Sequence, residues 1–199
     1  GRKDFFSYVL RQSEKSTPAG MSATEMKLNT ATIVGAGTGT TATWLSTAVH
    51  SLSSNSNAYR RLVDEIRASF NDDREITLDN VTKLPYLAAV MKESLRLHSP
   101  SPSSLGRLVP KGGEMIDGRF VPGGTTVGVH HHAAYHLSSN FYRPDDFCPE
   151  RWFPAARDPS SPFSTDRLGV MQPFSYGPRT CLGIKYARRH RLEATALTI

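Results

Sequence analysis

The spacing of apolar positions changes along the chain, and each change marks a different kind of element. Ser22-Ala23-Thr24-Glu25 has the pattern of a capping box, in which the hydroxyl serves a free amide of the first helical turn and the carboxylate returns the bond. Such a cap contributes about 1 kcal/mol. A long helix is predicted from there over about 22–54. Tyr59, Leu62, Val63, Ile66 and Phe70 recur at helical spacing and predict a second helix with that face turned inward. Leu84-Pro85 opens a third, with proline in its favoured first turn. Over about 84–98 it carries Leu87, Val90, Met91, Leu95 and His98 on its buried side, and Ser99-Pro100 ends it.

From Leu105 to about 129 the period shortens to extended runs, with Asp117-Gly118 as a hairpin turn and 125–129 as a strand. Residues 137–180 show no period and are dense in Pro, Phe, Trp and Arg. An ordered loop of that length is uncommon without a task. A final helix is predicted to begin near Gly183, while residues 1–20 read as a helix tail followed by a Ser, Thr, Pro and Gly linker. The pattern predicts a mainly α chain with small β-sheets, an α+β class, without internal repeats or low-complexity tracts. One stretch resists it. Gly35, Gly37 and Gly39 lie in the middle of the long helix, each costing about 1 kcal/mol relative to alanine. A helix that tolerates this is kept thin so that something can approach its backbone.

Composition narrows the reading. The chain has 199 residues, 38% hydrophobic, 21% charged and 9% aromatic, a globular balance suited to one domain or a large piece of a bigger one. It holds no run of about eighteen apolar residues, so no membrane span is predicted. Gly1-Arg2-Lys3-Asp4 leads straight into Phe5-Phe6 with neither an initiator Met nor a signal-peptide pattern, which reads as a fragment. Lys and Arg total 24 against 18 Asp and Glu, a net charge of +6. The bases are scattered, and only Arg188-Arg189-His190-Arg191 forms a dense run, so nucleic acid is not expected as a partner. Cys148 and Cys181 are too few for a disulfide scaffold, no disulfide is expected, and each needs its own account.

The most specific signal is Phe174-Ser175-Tyr176-Gly177-Pro178-Arg179-Thr180-Cys181-Leu182-Gly183. It reads as a rigid turn presenting a sulfur just before a helix N-terminus, where amides and the helix dipole favour thiolate. Arg179 adds a cation that can meet a carboxylate or a propionate. Glu93 and Arg96, three apart on one helix, share a face, and such a pair alone is worth about 0.2–0.5 kcal/mol on a surface. Arg151, set in Phe147-Cys148-Pro149-Glu150-Arg151-Trp152, adds a second arginine that can complete a buried Glu–Arg–Arg cluster. Breaking one member of such a cluster costs about 3–5 kcal/mol. His132 and His136, four apart and followed by Cys148, offer a zinc alternative, but no Glu follows His132 as the zincin pattern requires. Cys148 reads as a structural thiol in its turn.

Taken together, these motifs resemble the C-terminal part of a cytochrome P-450, the haem-thiolate monooxygenase family. The cysteine loop over 174–183 is similar to the family's haem-binding signature. Glu93-Ser94-Leu95-Arg96 is similar to its Glu-x-x-Arg helix, and Pro149-Glu150-Arg151-Trp152 to its Pro-Glu-Arg-Phe turn. Ala36-Gly37-Thr38-Gly39-Thr40-Thr41 resembles the oxygen-activating groove of the long central helix, and the run from Gly112-Gly113 to Val129 resembles fungal members of secondary metabolism. The resemblance implies an incomplete cytochrome P-450 domain over 1–199 that binds haem b (iron protoporphyrin IX). Cys181 would be the axial thiolate ligand of the iron, whose electron donation favours O–O cleavage. Thr40 would be the catalytic residue that hydrogen-bonds oxygen and helps deliver protons. Arg179 and Arg107 would pair with the haem propionates, Phe174 would pack near the sulfur and tune the potential, and Gly177 and Gly183 would shape the loop. Glu93, Arg96 and Arg151 would lock the fold around it.

The implied activity is hydroxylation of an apolar small molecule with O2 and two electrons from a NADPH-linked reductase. A full-length member would sit at the endoplasmic reticulum membrane; this chain has no anchor and would be cytosolic if made alone. Two features depart from the family pattern. Gly39 stands where an acid normally precedes the threonine, and Ile184-Lys185-Tyr186-Ala187-Arg188-Arg189-His190-Arg191 is more basic than the usual apolar helix, a face suited to an acidic reductase. A chain lacking the first half would expose an apolar face and be poorly soluble. The competing reading is a non-catalytic truncated remnant that binds haem weakly or not at all.

Overall fold

The computed structural model describes residues 21–185 and 187. Two compact units divide the chain, 1–39 and 40–199, with the boundary inside the first helix, α1, Ala23–Ser53. In the first unit the capping box forms as the sequence predicts: Ser22 Oγ accepts from the Glu25 backbone N–H at 3.2 Å, and Glu25 Oε2 accepts from the Ser22 N–H at 2.8 Å. Thr38 turns its hydroxyl back onto the Val34 carbonyl at 2.8 Å. A Cβ at Gly35, Gly37 or Gly39 would meet no described atom within 4 Å, so no described neighbour requires the thin stretch.

In the second unit, Trp44, Ala48 and Leu52 form one stripe of α1 and enter the core. Helix α2, Ser56–Ser69, adds Ala58, Leu62 and Ile66. This corrects the sequence expectation at one position: Tyr59 is 42% exposed, because the stripe that packs runs through 58, 62 and 66, and Tyr59 stands beside it. The short α3, Leu78–Val81, contributes Val81. Helix α4, Pro85–Leu97, starts on proline as predicted but is buried nearly all round rather than on one side, including Tyr86, Ala89, Glu93, Ser94, Arg96 and Leu97. His98, expected on that buried side, is exposed. The helix ends at Leu97, and His98 leaves the helical path at φ −132° while its N–H still bonds the Ser94 carbonyl.

Two α4 amides are satisfied from outside the helix. Glu65 of α2 accepts from the Tyr86 N–H at 2.7 Å and the Leu87 N–H at 2.8 Å, one through each carboxylate oxygen. The Trp44 indole N–H donates to the Met91 carbonyl at 2.9 Å, and together these bonds fasten α1, α2 and α4.

The extended region forms two small antiparallel sheets. Strand β1, Arg107–Leu108, pairs with β4, Thr126–Val127, in the register Arg107 to Val127 and Leu108 to Thr126. Strands β2, Glu114–Ile116, and β3, Arg119–Val121, form the predicted hairpin. Asp117 (φ 50°) and Gly118 (φ 72°) supply the two positive φ angles of a type I′ turn. The strand expected over 125–129 is shorter. A Cβ at Gly128 would lie 3.0 Å from that of Ser104, so the chains cross closely there, and pairing resumes only as a bridge between Ser104 and His130. Helix α5, His131–His136, follows.

The stretch predicted as ordered loop is built from short 3-10 turns, Pro149–Trp152, Pro154–Arg157, Leu168–Val170 and Gly177–Arg179, three of which carry a proline at their start. Residues 184, 185 and 187 are helical, consistent with a helix opening near Gly183. The linker, the first twenty residues and the run Arg188-Arg189-His190-Arg191 lie outside the described residues. No described helix is long and apolar enough to cross a membrane. Exposed apolar side chains include Leu28 and Val34 on α1, Met115 and Phe120 on the hairpin, Leu108 on β1, and Tyr176 and Leu182 on the cysteine loop.

Candidate functional site

Two constellations matter, one buried and one exposed. The buried one centres on Glu93, wholly enclosed on α4. Arg96, one turn on, grips it with two bonds, Nε to Oε2 at 3.0 Å and Nη2 to Oε1 at 2.8 Å. Arg151, from the Pro149–Trp152 turn, donates from Nε to Oε1 at 3.0 Å. The Cys148 backbone N–H and the Trp152 indole N–H complete the carboxylate's coordination at 3.1 and 2.9 Å. Glu93, Arg96 and Arg151, singled out from the sequence, therefore meet with no solvent exposure at all.

Buried guanidiniums need every donor satisfied. Arg96 spends its remaining ones on the carbonyls of Tyr135 (2.9 Å), Pro144 (2.5 Å) and Asp146 (3.1 Å). Arg151 reaches the Tyr142 carbonyl at 3.0 Å and the carboxylate of Asp166. Asp166 is itself buried, and its other oxygen accepts from the Tyr142 N–H at 2.6 Å. Burial opposes the charge on Arg151, but Glu93 and Asp166 more than offset it, and its pKa is raised. The Phe141 ring lies 5.2 Å from the Arg96 guanidinium and 5.8 Å from that of Arg151. Sequence reasoning missed Asp166 and Trp152. Trp152 was adjacent to a recognised residue, whereas Asp166 lies fifteen positions beyond Arg151 in a stretch without a period.

The exposed constellation is the cysteine loop. Its backbone takes positive φ at Ser175 (62°) and at Gly177 (80°), where glycine carries no penalty. The Cys181 N–H donates to the Phe174 carbonyl at 2.8 Å and closes the loop on itself. The Ile184 N–H then donates to the Cys181 carbonyl at 3.3 Å, opening the helix directly after the cysteine. Cys181 is a free, exposed thiol. Gly183 lies close to it: a Cβ there would stand 3.8 Å from Sγ, ordinary contact distance. Phe174 anchors the loop inward, its ring edge-on to Trp44 at 6.2 Å and packed on the hydrophobic core.

Arg107 of β1 reaches this loop, donating from Nη2 to Ser175 Oγ at 3.0 Å. Arg179 is exposed on the Gly177–Arg179 turn and makes no ion pair among the described residues. Thr40 stands exposed on α1, one turn before Trp44. Cys148 is half-buried, and burial pushes its thiol pKa up, in keeping with a structural thiol.

Among the described residues the histidines form no metal centre. His131 is buried, stacked on Tyr135 with Nδ1 3.0 Å from the Ser101 carbonyl oxygen. The rings of His132 and His136 approach to 4.1 Å, and His136 Nδ1 lies 2.8 Å from the His132 carbonyl oxygen. Among the described residues no group of three His, Cys, Asp or Glu is arranged to hold a metal ion, so the zinc alternative is not assembled there.

A mainly α chain in which a buried Glu–Arg–Arg cluster accompanies an exposed cysteine loop has the architecture of a haem-thiolate protein. Comparison with known families agrees: the family model for Cytochrome P450 matches residues 1–195, and the chain belongs to that family. Cytochrome P450 monooxygenase astJ of Aspergillus oryzae is 42% identical over 198 residues, which are 98% of this chain and 39% of the relative. Cytochrome P450 monooxygenase aba2 of Botryotinia fuckeliana is 45% identical, covering 91% of this chain and 33% of the relative. Averantin hydroxylase of Dothistroma septosporum is 46% identical, covering 87% and 32%. The chain thus spans about a third to two fifths of the length of the curated relatives it matches.

The family's cofactor is haem b, and the donor chemistry here fits it. Cys181 offers a single soft sulfur without a disulfide partner, and exposed cations at Arg107 and Arg179 suit a dianionic porphyrin.

Proposed function

We propose that the whole protein is a haem-thiolate monooxygenase and that this chain supplies its haem-ligating loop. In this reading Cys181 holds the iron through its sulfur, Arg107 and Arg179 hold the propionates, Phe174 shields the sulfur side, and Gly177 and Gly183 give the loop its path. Bound haem supplies a redox-active iron at which O2 is reductively activated. Thr40 donates a hydrogen bond on the oxygen side and passes protons from water. The net reaction inserts one oxygen atom into a C–H bond of an apolar small molecule and reduces the other to water. Two electrons would come from NADPH through a reductase whose acidic face suits the basic run from Lys185 to Arg191 in the sequence. The endoplasmic reticulum membrane is the proposed location of the whole protein.

One observation carries the reading: the free, exposed thiol of Cys181 sits on a loop closed by its own backbone, with Phe174 fastened to the core beneath it. A test is the optical spectrum of the reduced, CO-bound protein after haem is added. A strongly red-shifted band that disappears in Cys181→Ser is the expected result. A band at the ordinary position in the unaltered protein overturns the reading and favours the remnant that keeps the signature without the site.

A further inference from the structure

The buried charge cluster and the cysteine loop are separate in sequence. Tyr135 touches the first and the segment that leads into the second. Tyr135 of α5 has no solvent exposure, and its backbone carbonyl accepts from Arg96 Nη1 at 2.9 Å. Its phenol oxygen accepts the Gln172 backbone N–H at 2.9 Å. Its ring stacks on His131 at 5.4 Å with 9° between the planes, and His131 is held in turn near Ser101. Tyr135 is thus held at its backbone by Arg96 and at its ring by His131, and its hydroxyl meets Gln172.

On the loop side the path to the sulfur is short. Gln172 is followed by Pro173, whose ring fixes φ and stiffens the link, and then by Phe174. The Phe174 carbonyl accepts the Cys181 N–H at 2.8 Å, and its ring is held by Trp44. Gln172 contributes its backbone to the contact; its side chain is turned to the Gly169 carbonyl at 3.2 Å on an exposed surface.

We propose that Tyr135 is a positioning residue for the sulfur of Cys181: its buried hydroxyl fixes the backbone of Gln172 at the entry to the cysteine loop, and its carbonyl ties that grip to Arg96. The proposal rests on the haem-thiolate reading given above. Groups that orient a metal ligand without touching the metal set both its affinity and its electronics. The loss of one hydroxyl here therefore acts on the iron, although the residue touches neither haem nor substrate.

Tyr135→Phe removes the acceptor and keeps the ring, the stack on His131 and the carbonyl to Arg96. Gln172→Ala is the control, since it keeps the backbone N–H. Gln172→Pro removes the donor from the other side and serves where the tyrosine variant folds poorly; Met171, at ψ 101°, already has the extended conformation a residue before proline takes. Three readouts are taken on the haem-loaded protein: the fraction of the reduced CO complex with the red-shifted band, the rate of haem transfer to an apo-globin acceptor, and amide exchange at residue 172. Tyr135→Phe and Gln172→Pro are expected to lose haem about tenfold faster and to convert part of the red-shifted band to the ordinary position. Tyr135→Phe also loses exchange protection at residue 172, while Gln172→Ala matches the unaltered protein. Unchanged band and haem retention in Tyr135→Phe overturn the proposal while the haem-thiolate reading stands. Absence of the red-shifted band from the unaltered protein overturns that reading, and the positioning role falls with it.

Discussion

Arg151 and Asp166 form an ion pair in which neither side chain is exposed to solvent. Glu93 bonds both Arg96 and Arg151, which leaves two guanidiniums facing one carboxylate. Asp166 is the second carboxylate and brings the buried cluster to charge balance. Removing it strands a buried guanidinium, and Asp166→Ala is expected to destabilise the fold by about 3–5 kcal/mol. Chemical denaturation followed by tryptophan fluorescence measures this. A loss below about 1 kcal/mol, the scale of an exposed pair, would show that the pair contributes only as a surface contact does.

Glu65 acts as a cap supplied by a neighbouring helix, since both its oxygens serve free amides at the start of α4. Glu65→Ala is expected to cost about 0.5–2 kcal/mol, the range for losing a helix cap. Glu65→Gln, which keeps one acceptor oxygen, should recover part of that. Equal losses in the two variants would show that the charge, not the acceptor geometry, carries the effect.

The two cysteines should react differently. Cys181 is exposed, whereas Cys148 is half-buried and its pKa is raised chiefly by burial, which depletes the nucleophilic thiolate. Iodoacetamide near neutral pH is expected to label Cys181 first in the haem-free protein, read by peptide mass spectrometry. Added haem should protect Cys181 and leave the slow labelling of Cys148 as it was. Preferential labelling of Cys148 would contradict the exposure order.

Gly39 stands before Thr40, where the family resemblance implies an acid, and a Cβ there would meet no described atom within 4 Å. Gly39→Asp is therefore tolerated sterically and removes a glycine from a helix interior. If the whole protein is the proposed monooxygenase, the substitution is expected to raise coupling, seen as less peroxide released per NADPH consumed. Unchanged peroxide release would assign proton delivery to water alone.

The local elements were legible in the chain because their causes are local. Ser22 and Glu25 make a capping box through atoms three residues apart. Pro85 begins a helix because a first-turn N–H is not needed. Asp117-Gly118 turns a hairpin because two successive positive φ angles suit those residues. The cysteine motif was legible for the same reason, its closing bond running from Cys181 back only to Phe174. The partners of a buried charge are not local. Asp166 reaches Arg151 from a stretch without periodicity and the Tyr135 carbonyl reaches Arg96 from the short helix α5, and no spacing rule connects them. Burial itself was decided in the same way: α4 reads as one-sided, yet it is enclosed because the irregular 137–180 stretch wraps its polar face, and that face turns inward with Glu93 and Arg96 upon it. Sequence alone determined the capping box at Ser22, the proline start at Pro85 and the hairpin turn at Asp117-Gly118, since those choices rest on backbone conformations set within a few positions. Only the tertiary structure decided which charges meet, since a guanidinium taken out of water takes its partners from whatever the fold brings within hydrogen-bond reach.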